Sequence, residues 1–548
     1  MNTLHTPATL HITPLGGFGE IGMNCLLVQC GEALLMLDCG VQFCAEPRLG
    51  VDYYHPAFDA LQHRAQHLEA ILLTHGHEDH IAALPHLPPA IDAPVYGGPY
   101  TLRLAQSRLS EYGAAKRFAL NALSPGKVIT TPTFRVTALP VTHSIVDSYG
   151  YLIEAGERRI FVTGDYRHAA TSDANSGDSD TPAPMAEVMI GDSTGALETD
   201  VGHGEPALLD TVAHIFDATP GRIYLALFSS NIALLHRLAA MAGTKGRRVA
   251  FSGRSVQTNI ELAASVGRAL PHLAQRVAPH NIDTLPRDAT AAFISGTQGE
   301  PRSGLQRLAT GTHPHLDVRP GDAVVISSRV IPGNEVPVSQ MIDNFLIRGA
   351  RVYHPGTHPT LHVSGHGTVS EIQAAIRRVA PLAYLPAHGT YAHLVAAEEI
   401  ARRSGVPQTA VLRNGDTATW DGHTLTAQPN ALPTGRVAVA QQRPLTHGNL
   451  TERAIMAEGG YLFIEAAQQP HADNAPIRIV RWQSCGAFDP ATEAQVRHAV
   501  AVRLNDTASD EAWTNEDAFN RLKNQLRRFL QKKWGAVPYL ELVLKRGE

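Results

Sequence analysis

Cysteine is scarce in this chain. The five at Cys25, Cys30, Cys39, Cys44 and Cys485 are an odd number with no CxxC spacing. A disulfide framework is therefore not expected, and buried or free thiols in a reducing compartment are. Long apolar runs are also missing: no stretch is long enough to span a bilayer, and Met1-Asn2-Thr3-Leu4-His5 lacks a charged region followed by an apolar one. A cytoplasmic protein without a membrane partner follows as the expectation. Nor is there an excess of positive charge, because 46 Lys and Arg stand against 51 Asp and Glu, for a formal net charge of −5. Counterion release favours basic surfaces, so a generic nucleic-acid binder is disfavoured, whereas a narrow, directed nucleic-acid path is not. What is plentiful is length and apolar content. With 548 residues, 44% of them hydrophobic, two or three domains are expected.

The densest chemical signal is Thr74-His75-Gly76-His77-Glu78-Asp79-His80, directly after the apolar run Ala70-Ile71-Leu72-Leu73. Imidazole nitrogens and carboxylate oxygens are what Zn²⁺ binds, and one extended step from His75 to His77 lets both rings reach the same ion. Asp79 and His80 fall at the start of an expected helix and can face a second ion. Further candidates follow expected strands: His143 after Phe134–Val141, Asp165 after Arg159–Thr163, and His388 after Pro381–Ala387. The partition this predicts is His75, His77, His143 and Asp165 around one metal, and Asp79, His80, Asp165 and His388 around the other, with Asp165 bridging. Coordination lowers the pKa of water to about 7 and so supplies a nucleophile at neutral pH, which points to metal-dependent hydrolysis.

Gly17-Phe18-Gly19-Glu20-Ile21-Gly22 fits a GxGxxG pattern, but a dinucleotide fingerprint needs a helix next. Here the apolar strands Cys25-Leu26-Leu27-Val28 and Ala33-Leu34-Leu35-Met36-Leu37 follow instead. The glycines are read as a tight turn at the rim of the metal site.

Leu37-Asp38-Cys39-Gly40, the His75 to His80 cluster, Thr142-His143-Ser144-Ile145, Thr163-Gly164-Asp165 and Pro386-Ala387-His388-Gly389 resemble the ordered motifs of the metallo-β-lactamase fold. More narrowly, the chain resembles the beta-CASP nucleases of the ribonuclease J family. That likeness is carried by Leu15–Gly22, Gly191-Asp192-Ser193-Thr194, Phe251-Ser252-Gly253-Arg254-Ser255, Gly296–Glu300, Ile331-Pro332-Gly333-Asn334 and His362–Gly367. Two positions depart from the pattern: Thr390 stands where glutamate is usual, and Gly195 where asparagine is usual. The resemblance implies an α/β protein, a metallo-β-lactamase αββα sandwich interrupted by a parallel α/β beta-CASP domain, with a small α+β C-terminal domain. Asp38 becomes a carboxylate next to the metals rather than a ligand.

The expected division is residues 1–203 and 350–430 for the metallo-β-lactamase domain, 204–349 for the inserted domain, 431–455 for a linker and 456–548 for the C-terminal domain. Within the insert, strands such as Ile223–Phe228 and Val249–Phe251 alternate with helical stretches, the mark of a parallel sheet wrapped by helices. The loops after its strands carry Ser229, Ser230, Asn231, Ser252, Arg254, Ser295 and Thr297. Open α/β sheets bind ligands at those ends, and small hydroxyl residues admit phosphate, with Arg254 as its fork. In the last helix, Thr514 and Asp517 are expected as caps; Phe519, Leu522, Leu526, Phe529 and Leu530 form an apolar face, and Arg521, Lys523, Arg527, Arg528 and Lys532 a solvated basic one. Thr171–Pro184, rich in Ser, Asp and Gly, reads as a surface linker.

From the resemblance comes a reaction. His366 is assigned as the acid that protonates the departing 3′ oxygen and Asp192 as its partner, with Asp165 bridging the metals. His362, Ser364, Gly365 and His366 form a cradle for the scissile phosphate. The substrate implied is single-stranded RNA, cut internally and 5′-to-3′ from a monophosphorylated end, in RNA maturation and decay. Two Zn²⁺ per subunit are implied, with Mn²⁺ as the alternative ion, together with a homodimer or homotetramer through the C-terminal domain and partners in RNA-decay complexes. A beta-CASP enzyme acting on DNA and an RNA-binding scaffold with little turnover are the alternatives.

Overall fold

A computed structural model describes residues 9–44, 49–167, 184–198, 203–270, 276–331, 333–468, 476–508 and 510–546. The stretch Thr171–Pro184 lies outside them except for Pro184, as does Pro332. Two compact units emerge, Met1–Phe43 with Tyr54–Arg436, and Cys44–Tyr53 with Val437–Glu548.

The first unit contains a sandwich of two sheets. In one, eight strands run in the order Leu425–Gln428, Thr417–Trp420, Leu10–Gly16, Cys25–Cys30, Ala33–Leu37, Leu68–Leu72, Val95–Gly97 and Leu120–Ala122. In the other, seven run Val128–Thr130, Arg135–Pro140, Tyr149–Ala155, Arg158–Val162, Val188–Asp192, Ala383–Ala387 and Gln408–Thr409. Their facing sides alternate apolar residues, so Ile12, Leu35, Leu37 and Leu72 from one sheet share a core with Tyr151, Ile153, Ile190 and Leu385 from the other. Apolar side chains removed from water at about 25 cal/mol per Å² hold the two layers together.

One pairing determines the site. Val188–Asp192 lies parallel to Ala383–Ala387, with Val188 opposite Ala383 and Asp192 opposite Ala387. The chain therefore leaves the sheet after Asp192, builds a separate layer, and returns so that His388 emerges beside its exit point. Phe18 and Gly19 pair with Gly389 and Thr390, which places the glycine-rich turn against the same corner. As expected of a turn rather than a nucleotide fingerprint, the strand Cys25–Cys30 follows it.

The separate layer is a five-stranded, wholly parallel sheet in the order Arg248–Ser252, Thr290–Ile294, Ile223–Leu227, Ala323–Ser327 and Arg351–Tyr353. Both faces are covered. Leu225, Phe251 and Phe293 pack with Leu235 and Ile260 on one side, and Tyr224, Ala250 and Ile326 with Met341 and Phe345 on the other. Strands buried on both faces have no reason to alternate in polarity, which explains their continuous apolar sequence.

The second unit centres on the strand Tyr461–Gln468, antiparallel to Arg478–Cys485 and parallel to Tyr539–Arg546. Leu462 and Ile464 pack with Val496 and Val500 of the helix Pro490–Thr507 and Leu522, Leu526 and Leu530 of the helix Glu516–Trp534. Two expectations change here. The stretch 431–455, read as a linker, carries the hairpin of Arg436–Ala440 with Arg443–Leu445 and most of the helix His447–Gly459. A Pro- and Gly-punctuated sequence need not be unstructured when its backbone finds a ladder. The last helix is capped by Asn515, whose side chain accepts from the backbone N–H groups of Asp517 and Ala518, and not by Thr514. Among the described residues no helix is long and apolar enough to cross a membrane.

Candidate active site

Each candidate ligand sits just beyond a strand, where the backbone is free to turn. His75, His77, Asp79 and His80 follow Leu68–Leu72, the last two in the short helix Glu78–Ile81. His143 follows Arg135–Pro140, Asp165 follows Arg158–Val162, and His388 follows Ala383–Ala387 with φ +53°. A left-handed histidine is held against its own preference, the kind of strain that surrounding structure maintains at functional sites.

All seven converge. His75 Nε2 lies 3.0 Å from His77 Nδ1, which lies 3.2 Å from His143 Nε2. Asp165 Oδ2 stands 3.3 Å from His80 Nε2, 3.7 Å from His75 Nε2 and 3.9 Å from His143 Nε2, while its Oδ1 is 2.9 Å from His388 Nδ1. Asp79 Oδ2 is 3.5 Å from His388 Nε2 and 3.6 Å from His80 Nε2. Donors held about 2.0–2.1 Å from one ion stand roughly 3.3 Å apart in a tetrahedral shell. His75, His77 and His143 form one such group, and Asp79, His80 and His388 another, with Asp165 next to both.

The far sides of the rings agree with this reading. His143 Nδ1–H donates to the Gly365 carbonyl at 2.7 Å, and His80 Nδ1–H to Asp38 Oδ2 at 2.8 Å. In each case Nε2 is the nitrogen turned toward the cluster, the orienting arrangement that metal-ligating histidines use. Gly365 is required for this, because a Cβ there would stand 2.7 Å from the His143 ring. Asp38 also accepts from the Thr74 backbone N–H and hydroxyl, each at 2.8 Å. His388 Nε2 is buried without a close hydrogen-bond partner and faces Asp79 Oδ2 at 3.5 Å. The donor set and its orientation fit bound metal.

Electrostatics divide the rings. Burial pushes His75 well below its ordinary pKa, His77 down to about 4 and His143 to about 3, leaving them neutral and able to ligate. Burial opposes charge on His80 and His388 too, but the carboxylates win: Asp165, Asp79 and Asp38 raise His80 well above 6.5, and Asp165 raises His388 to about 10. Asp165 in turn is held well below the usual carboxylate range by His388, His80 and His75, against its burial.

His366 Nδ1 lies 2.7 Å from Asp192 Oδ2 and 3.9 Å from Asp165 Oδ2. Although burial disfavours the imidazolium, Asp192 outweighs it and raises the His366 pKa. Around it, Ser364 Oγ accepts from the His366 backbone N–H at 3.1 Å, and His362 is pushed down to about 4 by burial and then by Arg329, Arg167 and His366. Arg167 and Arg329, each paired with a glutamate, bring positive charge to this pocket.

Several supports of the site carry no local sequence signal. Arg167 bonds Glu371 at 3.2 Å and reaches the Ser364 carbonyl at 3.4 Å; Glu371 also closes the capping box of the helix Val369–Val379. Asn24 Nδ2 donates to the Asp79 carbonyl at 3.2 Å. Neither lies in a patterned cluster of donors, so nothing local marks them. The two departures are also explained in part. Any side chain at Gly195 would meet the Gly367 carbonyl, 2.1 Å from its Cβ, and Thr390 Oγ1 bonds His393 Nδ1 at 2.6 Å.

The residues expected to meet phosphate on the inserted sheet differ in availability. Arg254 is exposed, and Ser229, Ser230 and Ser295 are half-buried. Asn231 Oδ1 is occupied in capping the helix Ile232–Thr244. Ser252 and Thr297 are only 6% and 4% exposed, and the Ser252 hydroxyl lies 3.0 Å from His313 Nε2.

Comparison with known proteins accords with the architecture. A family model described as "Ribonuclease J, beta-CASP domain" matches residues 220–345, and one described as "Beta-lactamase superfamily domain" matches residues 35–223. Ribonuclease J of Mycobacterium tuberculosis (strain CDC 1551 / Oshkosh) is 32% identical over 91% of this chain and 92% of its own length. Ribonuclease J2 of Bacillus subtilis (strain 168) is 27% identical over 97% of each. Ribonuclease J of Helicobacter pylori (strain J99 / ATCC 700824) is 31% identical over 75% of this chain, which spans 61% of that relative's length. A crystal structure of a protein of unknown function from Enterococcus faecalis V583 superposes with a TM-score of 0.54 at 17% identity, covering 75% of this chain and 100% of that one, and so shares the fold. With a β-lactamase-superfamily sandwich, a beta-CASP insert and relatives of this extent, the chain belongs to the ribonuclease J family.

Proposed function

We propose that this protein is a metal-dependent ribonuclease that hydrolyses single-stranded RNA, both internally and 5′-to-3′ from a monophosphorylated end, in cytoplasmic RNA maturation and decay. The observation that carries the reading is the meeting of two ligand groups at Asp165, with the His366–Asp192 pair alongside. His75, His77, His143 and Asp165 would hold one Zn²⁺, and Asp79, His80, Asp165 and His388 the other, with Mn²⁺ as the alternative ion. Bound there, the ions supply Lewis acidity at the phosphate and water of lowered pKa as nucleophile.

The rest falls to the protein. His362, Ser364 and Gly365 cradle the scissile phosphate in the pocket around His366. His366 passes its proton to the departing 3′ oxygen, and Asp192 keeps that proton in place until it is needed. Ser229, Ser230, Arg254 and Ser295 bind RNA phosphates beyond the cut, with Asn231, Ser252 and Thr297 shaping those loops. Residues 1–203 and 350–430 form the catalytic domain and 204–349 the RNA-gripping insert, while residues from 456 onward serve self-association as a dimer or tetramer and docking of decay partners.

The test compares RNAs bearing 5′-monophosphate, 5′-triphosphate and 5′-hydroxyl, and a matched DNA strand, with and without chelator, beside His77→Ala. RNA cleavage abolished by chelator and by the substitution, with a rate that depends on the 5′ group, is expected. Cleavage that survives chelation would overturn the reading, and faster cutting of DNA would reassign the substrate.

A further inference from the structure

Where the inserted sheet meets the sandwich, Tyr100, at the start of the helix Pro99–Glu111, is fully buried against Ile145, Ile232 and Ala263. Its phenol reaches across the seam to Asn259 Oδ1 at 2.5 Å. Asn259 belongs to the helix Arg254–Ser265 and is 9% exposed. Its amide nitrogen bonds the Ser255 carbonyl at 2.8 Å and the Ser229 hydroxyl oxygen at 3.2 Å.

The orientation of this amide follows from its neighbours. A backbone carbonyl only accepts, so the atom facing Ser255 is the NH₂ group, and the atom facing Tyr100 is the carbonyl oxygen. The second N–H of Asn259 then points at Ser229 Oγ, which must accept. The Ser229 hydroxyl proton consequently remains free for a donation of its own. Phosphate oxygens accept and do not donate, so a serine that serves a phosphate must present its proton. Had Ser229 donated to a protein acceptor, it would turn lone pairs toward the anion. Arg254, exposed at the first turn of the same helix, adds a cation to this end of the sheet.

Tyr100 is itself immobilised. Its backbone N–H bonds Asp147 Oδ2 at 2.9 Å, and Asp147 pairs with Arg268 from the inserted domain. The chain of contacts thus starts in the sandwich, crosses a buried seam and ends at the Ser229 hydroxyl of the insert.

We propose that Asn259, braced by Tyr100, is a positioning residue that holds the Ser229 hydroxyl as a donor to the 5′-terminal phosphate of RNA. This rests on the ribonuclease reading and assigns the means of 5′-end discrimination to the seam between the domains.

Binding separates this role from mere packing. Oligoribonucleotides with a 3′ fluorophore and either a 5′-monophosphate or a 5′-hydroxyl are titrated by anisotropy in chelator, so that nothing is cut. The quantity read is the ratio of the two affinities for the full-length protein, Ser229→Ala, Tyr100→Phe and the double variant, with Asn259→Asp as a second break in the chain should Tyr100→Phe not fold. Each single variant is expected to lose roughly 5-fold of the 5′-phosphate preference, as for one hydrogen bond of about 1 kcal/mol. The double variant is expected to lose no more than Ser229→Ala, since both changes cut the same chain. Multiplying losses, equal weakening toward both RNAs, or an unchanged ratio in Ser229→Ala would overturn the proposal while leaving the nuclease reading intact. If the same preparation with its metals restored failed to cleave any RNA, the nuclease reading would fall and this proposal with it.

Discussion

Asp38 shows how much a single side chain organises in this site. It holds φ +60°, a region that costs a non-glycine residue on the order of 1–3 kcal/mol, and its carboxylate gathers Thr74 and His80. In Asp38→Asn, one oxygen becomes an NH₂ that cannot accept from His80 Nδ1–H, so the ring loses its orientation. Metal affinity, measured by competition with a chromophoric chelator, is expected to fall about 10- to 100-fold with the fold intact. Unchanged affinity would separate Asp38 from metal binding. Sequence reasoning could name Asp38 because it stands in a recognisable run beside the cluster. Arg167 and Asn24 were beyond it, since each acts on a backbone carbonyl that only folding brings near.

Secondary elements carry their own logic. In the helix Glu516–Trp534, Leu522, Leu526 and Leu530 recur every fourth residue and are 2% exposed or less. Leu526→Ala is expected to destabilise the second unit by about 2–5 kcal/mol, whereas Arg528→Glu on the solvated side should change stability by less than about 0.5 kcal/mol. Denaturant unfolding followed by the fluorescence of Trp482 and Trp534 reads both; comparable losses would mean that the basic side is packed. That apolar stripe was legible because a helical period repeats it. The cap was not: Thr514 and Asn515 are both good cap residues, and the choice depends on where the first helical turn begins.

Across the whole molecule, buried histidines make stability depend on pH. His55, His75, His77, His86, His143 and His362 have pKa values below the ordinary 6.5, with His86 at about 3 through burial and the nearby His55, Arg108 and Arg117. Below pH 6.5 the unfolded chain takes protons that the folded chain refuses, so stability falls as pH drops toward 3–4. His80, His366 and His388 are raised and work oppositely. Above pH 6.5 the folded chain keeps protons that the unfolded chain releases, and their contribution is lost as pH climbs toward about 10, the His388 value. Metal-free protein is therefore expected to melt highest near pH 6.5, and the gain in melting temperature on adding Zn²⁺ to shrink at pH 5, where protons compete for the ligands. A melting temperature flat from pH 5 to 8 in chelator would contradict this account.

At this largest scale the division between chain and fold is plain. Donor types, their positions after apolar strands, and the need for an interrupting layer between Asp192 and His388 can be read along the chain, because ligand chemistry and strand periodicity are written in neighbouring residues. Folding alone fixes which nitrogen of each ring faces inward, that Asp192 and His388 emerge side by side from paired strands, and that Tyr100 reaches Asn259 across the domain seam. Those are long-range pairings, selected by the burial of whole sheets, and no local pattern encodes them.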